Sequence, residues 1–279
     1  MFFWDDIGET RIRFDAPGRA RGGLEGCVRS VDWISTGLAG LLDACTVPIA
    51  IHDHTRAGIL GTGTLLQCGE RHLLLTAAHL LDGAAPCGNW LIPERATGQM
   101  LCLEGAQVQV IAGVDIALLD LARTATRSRL LRGRQPVPAR LALRARPAMR
   151  RSRPYAATYC LVGYPAEWSR FERGYLAAKR LTITTRLTTR QERQHTGGQR
   201  TGEPGPAQQR FIYGRTAERN DGQVIHTPAM EGMSGAAIWE IAPGHGADTL
   251  HLAGVQSAFL HSGYLRGDAA HACVRLLSR

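Results

Sequence analysis

The sequence predicts an all-β protein assembled from short antiparallel strands. Nine segments have the length and composition of strands, and Gly, Pro and polar turns separate them with no long helical period between. The chain has 279 residues, of which 44% are hydrophobic and 20% charged, so it can bury a substantial core. Together these features favour an antiparallel sandwich or barrel.

The expected strands follow one another from residue 47 to residue 260. They are VPIAIHDHT (47–55), GTLLQ (63–67), HLLLTAA (72–78), QVQVIAG (107–113), DIALLDL (115–121), TYCLVGY (158–164), YLAAKRLTITTRL (175–187), GAAIWEI (235–241) and TLHLAGVQSAFL (249–260). Two helices are expected as well. One covers about 30–44, and the other closes the chain, where Ala270, Cys273, Leu276 and Leu277 recur at helical spacing.

The positive charge of the chain comes almost wholly from arginine. The net charge is +9, and Lys179 is the only lysine. Eleven arginines and no acidic residue lie between Leu121 and Pro154. Such a run suits a solvated connector between two halves, and it could also contact nucleic acid or an acidic partner. The connector is the favoured interpretation.

Cysteine usage and hydropathy indicate a cytoplasmic protein. The seven cysteines form no CxxC pair, so free thiols in a reducing compartment are expected rather than disulfides or a zinc site. The longest apolar stretch, 38–51, is interrupted by Asp43 and is too short to span a bilayer. The opening MFFWDDIGETRIRFD has acids where a signal peptide needs a basic end and an apolar run. We therefore expect no membrane partner.

Residues 231–239, EGMSGAAIW, contain the first candidate catalytic group. Ser234 has Gly235 beside it and Gly232 two positions before, and a strand-like apolar run follows. Glycines let the backbone bend sharply, which exposes the hydroxyl and turns neighbouring N–H groups toward an incoming oxygen. A serine hydroxyl still needs a base to accept its proton.

A histidine and an aspartate elsewhere are the expected partners of this serine. His79 ends the apolar strand LLLTAAH, and an imidazole titrates near neutrality, which suits a general base. Asp115 lies in the apolar run VIAGVDIALLDL, where an unpaired carboxylate is costly, so an imidazolium is a suitable partner. Asp120, further along that run, is the alternative buried carboxylate. His52 and His54 have the HxH form of a metal pair, but no third ligand cluster accompanies them, so no metal site is expected.

Three short motifs together resemble the trypsin-like (chymotrypsin-class) serine peptidases. They are TAAH (76–79), DIALL (115–119) and GMSG (232–235), in the order His, Asp, Ser. GTGTLL (61–66), VGYP (162–165) and AGVQSAF (253–259) match as well, and the resemblance covers about 47–279. It implies two six-stranded antiparallel β-barrels with a short C-terminal helix and an N-terminal extension.

The resemblance also implies roles for individual residues. Ser234 would be the nucleophile, His79 the general base and then acid, and Asp115 the group that orients His79. The N–H groups of Gly232 and Ser234 would form the oxyanion hole.

The resemblance divides the chain into four parts. Residues 1–45 would be the N-terminal extension, 46–130 the first β-barrel, 131–155 the arginine-rich linker and 156–279 the second β-barrel. The second barrel would contain a long surface loop over 188–222, because this polar stretch has no sustained apolar pattern.

The sequence departs from the family pattern at three positions. Met233 stands where secreted animal members carry an aspartate, and Leu80 stands where they carry a disulfide cysteine. Both departures fit a bacterial-style cytoplasmic member that needs no cleavage to mature. Pro228 occupies the pocket position at which relatives that cut after Arg or Lys have an acid, so no preference for basic side chains is expected.

Substrate contacts are expected along two segments of the second half. Thr227 and Pro228 would lie at the base of the pocket. Ser257 and Phe259 belong to a segment that would pair with the substrate backbone as an added strand, with Phe259 narrowing the pocket. Gln256, together with His226, would line the pocket and suit a polar or acidic side chain.

The sequence therefore predicts a serine endopeptidase that hydrolyses peptide bonds in a protein or peptide substrate, without metal or organic cofactor. A gated intracellular effector is the expected kind by analogy, with the N-terminal extension, the 188–222 loop or an activating protein partner as the gate. One alternative is a peptidase fold that binds peptides without turnover. The other is a nucleic-acid-binding protein that uses the arginines of 121–154, although no RNP-like pattern, recognition helix or zinc finger supports it.

Overall fold

The described part of the chain is predominantly β, as the sequence predicts, and its strands form two large curled sheets. The computed structural model describes residues 10–13, 36–52, 57–82, 89–143, 158–172, 175–188, 208–213, 216–219, 223–241, 250–260 and 264–273. Pairing within the sheets is antiparallel except for two short parallel pairs.

The first large sheet has eight strands and follows two N-terminal elements, strand β1 (Thr10–Arg13) and helix α1 (Thr36–Cys45). Its strands are β2 (Thr46–His52), β3 (Ala57–Cys68), β4 (Arg71–Thr76), β5 (Trp90–Pro93), β6 (Met100–Cys102), β7 (Gln107–Val110) and β8 (Ala117–Asp120), and, after helix α2 (Arg127–Leu131), β9 (Val137–Pro138). They lie in the order β6-β5-β2-β3-β4-β8-β7, and β9 pairs with β3 in parallel.

The second large sheet has nine strands, and eight of them come from the second half of the chain. After helix α3 (Ala139–Ala142) the described chain continues with ten strands, eight of which belong to this sheet. They are β10 (Thr158–Gly163), β11 (Ser169–Glu172), β12 (Tyr175–Ala178), β13 (Leu181–Thr185), β14 (Gln208–Ile212), β15 (Thr216–Arg219), β16 (Val224–His226), β17 (Ala237–Ile241), β18 (Leu250–Leu260) and β19 (Tyr264–Ala269). The order in the sheet is β14-β19-β18-β17-β10-β13-β1-β15-β16, while β11 and β12 form a separate hairpin.

The N-terminal segment contributes to both the second sheet and the core. β1 lies between β13 and β15 and runs parallel to β13. Leu42 of α1 is 1% exposed and packs in a hydrophobic cluster that contains residues of both sheets, such as Leu118 of β8 and Trp239 of β17. Residues of the two sheets thus pack together in this shared cluster.

The pairing registers place several strand ends at the junction of the sheets. β4 and β8 are antiparallel, and Thr76 at the end of β4 lies opposite Ala117 at the start of β8. In the second sheet β10 and β17 are antiparallel, and Leu161 lies opposite Ile238. The segment that follows β4 therefore lies beside the segment that precedes β8, and the same holds for β10 and β17.

Several sequence expectations differ from the observed elements. The expected strand 175–187 is two strands, β12 and β13, because Lys179 and Arg180 between them belong to neither strand. The stretch 188–222 contains β14 and β15, so it is not one continuous loop; its residues 189–207 lie outside the described part. The described part of the first helix covers Thr36–Cys45, and residues 30–35 of the expected helix lie outside the described residues. At the end of the chain a short 3-10 turn covers Ala270–Cys273, while 274–279 lie outside the described residues.

The strand counts, eight and nine, also differ from the six per half that the resemblance implies. β9 and β1 account for part of the difference, since each adds a short parallel strand to a sheet. Closure of either sheet into a barrel stays a prediction.

The arginine-rich stretch is partly integrated into the first sheet. Arg129 and Arg132 pair with Glu94, whose side chain is only 1% exposed. Arg134 donates to backbone carbonyls of β2 and β5. The predicted linker 131–155 therefore includes residues that bind the first sheet directly, and 144–155 lie outside the described residues.

Two further findings concern the described residues alone. None of their five cysteines forms a disulfide, in agreement with the expectation of thiols. No helix among them is long and apolar enough to cross a membrane.

Candidate active site

His79 and Asp115 are in direct contact at the junction of the sheets. His79 lies in a 3-10 turn, Ala78–Leu81, immediately after β4, and Asp115 lies two residues before β8. The His79 Nδ1 atom is 2.6 Å from Asp115 Oδ2, and the His79 backbone N–H donates to Asp115 Oδ1 at 2.8 Å. Both carboxylate oxygens thus bind one residue, which fixes the ring relative to its own backbone.

The electrostatics of Asp115 favour the ionised carboxylate. Burial raises the pKa of Asp115, but the ring and backbone hydrogen bonds from His79, with a further contribution from the charge of Arg266, outweigh it and hold the pKa below its ordinary value. An ionised carboxylate only accepts hydrogen bonds, so the His79 Nδ1 atom must carry the proton. In the neutral ring the lone pair is then on Nε2.

The alternative carboxylate, Asp120, has a different partner. Its Oδ2 atom accepts a hydrogen bond from Arg71 Nε at 2.8 Å, and its Oδ1 atom accepts one from the backbone N–H of Ala122. Among the two aspartates of this run, Asp115 is therefore the one that contacts His79.

Ser234 lies in two successive tight turns, which together we name the serine turn (residues 230–236). The Met233 N–H donates to the Met230 carbonyl, and the Ala236 N–H donates to the Met233 carbonyl. The third residue of each turn is a glycine with positive φ, +86° at Gly232 and +91° at Gly235. Both turns thus have the geometry of type II turns, in which that position strongly favours glycine. The positive φ angles at these two positions explain why the motif has glycine at 232 and at 235.

The N–H groups of Gly232 and Ser234 have fixed directions. Each belongs to a peptide group whose carbonyl is bound: the Glu231 carbonyl accepts from Ala166 N at 2.7 Å, and the Met233 carbonyl accepts from Ala236 N at 2.9 Å. Because the C=O and N–H of a trans peptide point in opposite directions, these bonds orient both N–H groups. Within the described part of the chain, no acceptor binds either N–H. Both donors are thus available to a ligand oxygen.

The serine turn packs against the strand that leads to His79. A Cβ atom at Gly235 would lie 2.1 Å from Thr76 Oγ1 and 2.9 Å from Ala77 N, so only glycine permits this approach. Ala77 is two residues before His79. The structure therefore brings the backbone next to Ser234 against the segment that carries the histidine.

The side chain of Met233 packs the serine turn against the apolar core of the second sheet. Met233 is 0% exposed in the apolar core of the second sheet, together with residues such as Tyr159 and Leu181. A Cβ atom at Gly163, the last residue of β10, would lie 2.8 Å from the Met233 sulfur. An apolar contact thus involves residue 233, one of the positions at which the sequence departs from the pattern of the family it resembles.

Three of the expected substrate-binding residues meet around Tyr213. The Tyr213 hydroxyl donates to the Pro228 carbonyl at 2.6 Å, and Thr227 also hydrogen-bonds to it. The ring of Phe259 lies edge-on to Tyr213, with centroids 5.5 Å apart. Burial raises the pKa of Tyr213. The sequence reasoning missed this residue because it falls in the polar stretch assigned to a loop.

Gln256 and Ser257 lie beside the serine turn on β18. The Gln256 carbonyl accepts from the Gly235 N–H at 2.8 Å, so its main chain is adjacent to Ser234. Arg266 Nε donates to Ser257 Oγ at 3.1 Å. Arg266 gave no signal in the sequence because β19 was not expected. His226 is exposed at the end of β16.

No group of three or more His, Cys, Asp or Glu side chains that could hold a metal ion occurs among the described residues. Of the HxH pair, His52 is described, and its ring stacks on Phe171 with centroids 5.4 Å apart. His54 lies outside the described residues.

The chain matches no protein-family model, and no curated protein matches it.

Proposed function

We propose that the chain is a serine endopeptidase of the trypsin-like kind, with Ser234, His79 and Asp115 as its catalytic triad. The observation that carries the proposal is the His79–Asp115 pair at the junction of two curled sheets, against which the serine turn packs. The N–H groups of Gly232 and Ser234, which bind no acceptor among the described residues, support the same chemistry.

The proposed reaction begins when Ser234 Oγ attacks a peptide carbonyl carbon and transfers its proton to His79 Nε2. The carbonyl oxygen becomes an oxyanion, which accepts hydrogen bonds from the N–H groups of Gly232 and Ser234. Asp115 stabilises the imidazolium. The C–N bond then breaks as His79 returns the proton to the leaving amine, and the acyl group stays on Ser234. A water molecule, deprotonated by His79, releases the acid product and restores the hydroxyl.

The substrate contacts proposed for this enzyme are those expected from the sequence. Gln256, Ser257 and Phe259 lie on β18 next to the serine turn, while Thr227 and Pro228 contact Tyr213, which also touches Phe259. An extended peptide laid along this strand would bring its carbonyl to Ser234. The cytoplasmic location, an activating partner and membership of a bacterial-style group stay predictions from the sequence.

A fluorophosphonate probe tests the proposed nucleophile, because it reacts covalently with an activated serine. We expect the wild-type protein to be labelled and Ser234→Ala to remain unlabelled. Ser128→Ala, which changes a serine of α2 outside the three motifs, is the matched control and should label fully. Equal labelling of wild type and Ser234→Ala would exclude Ser234 as the nucleophile.

A further inference from the structure

Thr62 of β3 is a buried residue that bonds to both sides of the serine turn. Its backbone N–H donates to the Ser234 carbonyl at 2.8 Å, and its Oγ1 donates to the Gly232 carbonyl at 2.8 Å. The side chain is 0% exposed, so water does not compete for these bonds. One residue of the first sheet thus binds two carbonyls that lie on either side of Met233.

The Thr62 hydroxyl also connects two segments of the second half. It accepts a hydrogen bond from the Tyr164 N–H at 3.1 Å while it donates to Gly232. A hydroxyl can do both because it has one donor hydrogen and two acceptor lone pairs. The Thr62 carbonyl accepts from Thr76 Oγ1 at 2.8 Å, at the end of the strand that leads to His79. Thr62 therefore binds the serine side and the histidine side of the site at once.

With the bonds of Thr62, hydrogen bonds restrain four consecutive peptide groups of the serine turn. Four consecutive carbonyls, from Glu231 to Ser234, are all bound, the first to Ala166 N and the third to Ala236 N. Thr62 binds the second and the fourth. Since each peptide group is planar, rotation of one of these groups would turn its neighbours and redirect the free N–H groups.

We propose that Thr62 is a positioning residue of the first sheet, whose hydroxyl holds the oxyanion-binding N–H groups of the serine turn in register with His79. The proposal rests on the proposed function for its catalytic meaning. In this proposal the neutral Thr62 hydroxyl and the apolar Met233 side chain together stabilise the conformation of the serine turn.

Two substitutions separate the hydroxyl from the bulk of the side chain. Thr62→Val keeps the shape and removes the hydroxyl, while Thr62→Ser keeps the hydroxyl. Thr64→Val is the matched control, because Thr64 is also buried on β3 and its hydroxyl has no hydrogen-bond partner within the described residues. The first readout is the rate of reaction with the fluorophosphonate probe, separated into the rate constant at saturation and the half-saturating concentration.

We expect Thr62→Val to lower the saturating rate about tenfold or more, since loss of one oxyanion donor costs on the order of 10²–10³. The half-saturating concentration should stay near the wild-type value. Thr62→Ser and Thr64→Val should react at nearly the wild-type rate. A wild-type rate for Thr62→Val, or a Thr62→Ser variant as slow as Thr62→Val, would overturn the proposal.

Hydrogen exchange provides a readout that does not depend on the proposed function. In Thr62→Val, amides of the peptide that covers 230–236 should exchange faster than in wild type, Thr62→Ser and Thr64→Val. If the probe labels wild type and Ser234→Ala equally, the proposed function fails, and the exchange of the 230–236 amides alone then tests the role of Thr62. Unchanged exchange of these amides in Thr62→Val would overturn that role. If Thr62→Val does not fold, the Tyr164 amide of the wild-type protein decides, since slow exchange supports its bond to Thr62 and fast exchange contradicts it.

Discussion

At the scale of single residues, the chemistry depends on which atoms are committed to hydrogen bonds and which are not. Asp115 binds both the ring and the backbone of His79, so the ring nitrogen that remains for catalysis is Nε2. In the serine turn the carbonyls are bound and the N–H groups of Gly232 and Ser234 are uncommitted among the described residues. In the proposed function, His79 would supply the base and these N–H groups the anion-binding pair of donors.

Asp115→Asn should lower the rate of the proposed reaction by a factor on the order of 10³–10⁴, because an amide can donate to Nδ1 and favour the wrong tautomer. The rate of labelling by a fluorophosphonate probe measures this loss. Asp120→Asn is the matched control: it removes the ion pair with Arg71 and should leave the rate near that of the wild type. Equal losses in the two variants would contradict the assignment of Asp115.

At the scale of secondary-structure elements, strands with a clear apolar pattern could be predicted, and several strands with a weak one could not. The strands β2, β4 and β8 were evident from their composition, and with them the positions of His79 and Asp115 at strand ends. The strands β14 and β15 were missed, since QQRFI and TAER have weak apolar patterns and are stabilised by their sheet neighbours. Tyr213, which directly follows β14, was missed for the same reason.

The helix α2 is held to the first sheet by an ion pair that should respond to acid. Arg129 Nη2 lies 2.7 Å from Glu94 Oε2, and the hydrogen bonds of Arg129 and Thr97 lower the pKa of Glu94 to about 2. The unfolded chain has the ordinary value of 4.5. Because the folded pKa is the lower one, the pair contributes stability above about pH 4.5 and loses it as the pH falls toward about 2.

Glu94→Gln should therefore lower the free energy of unfolding at neutral pH and flatten its decline between about pH 4.5 and about pH 2. Urea unfolding at a series of pH values across this window measures both effects. Glu104→Gln, which changes an exposed carboxylate in the turn between β6 and β7, is the control and should preserve the wild-type decline. An unchanged decline in Glu94→Gln would show that the pair with Arg129 does not contribute.

At the scale of the whole molecule, the candidate site exists only where the two sheets meet. His79, Asp115 and Thr62 come from the first sheet, and the serine turn comes from the second. The order His, Asp, Ser could be read from three motifs, but their convergence depends on the shared core, to which α1 contributes Leu42. The sequence could not reveal the bond of Thr62 to Gly232, because it joins residues 170 positions apart.

A crystal structure of the protein after reaction with a fluorophosphonate tests the central claim most directly, because nucleophile, oxyanion donors and base are observed together. The account predicts phosphorus bonded to Ser234 Oγ and one phosphonyl oxygen at about 2.7–3.1 Å from the N–H groups of Gly232 and Ser234. His79 Nε2 should lie within hydrogen-bond reach of the adduct. Phosphorus on another residue, or an adduct at Ser234 with its oxygens turned away from both N–H groups, would contradict the account.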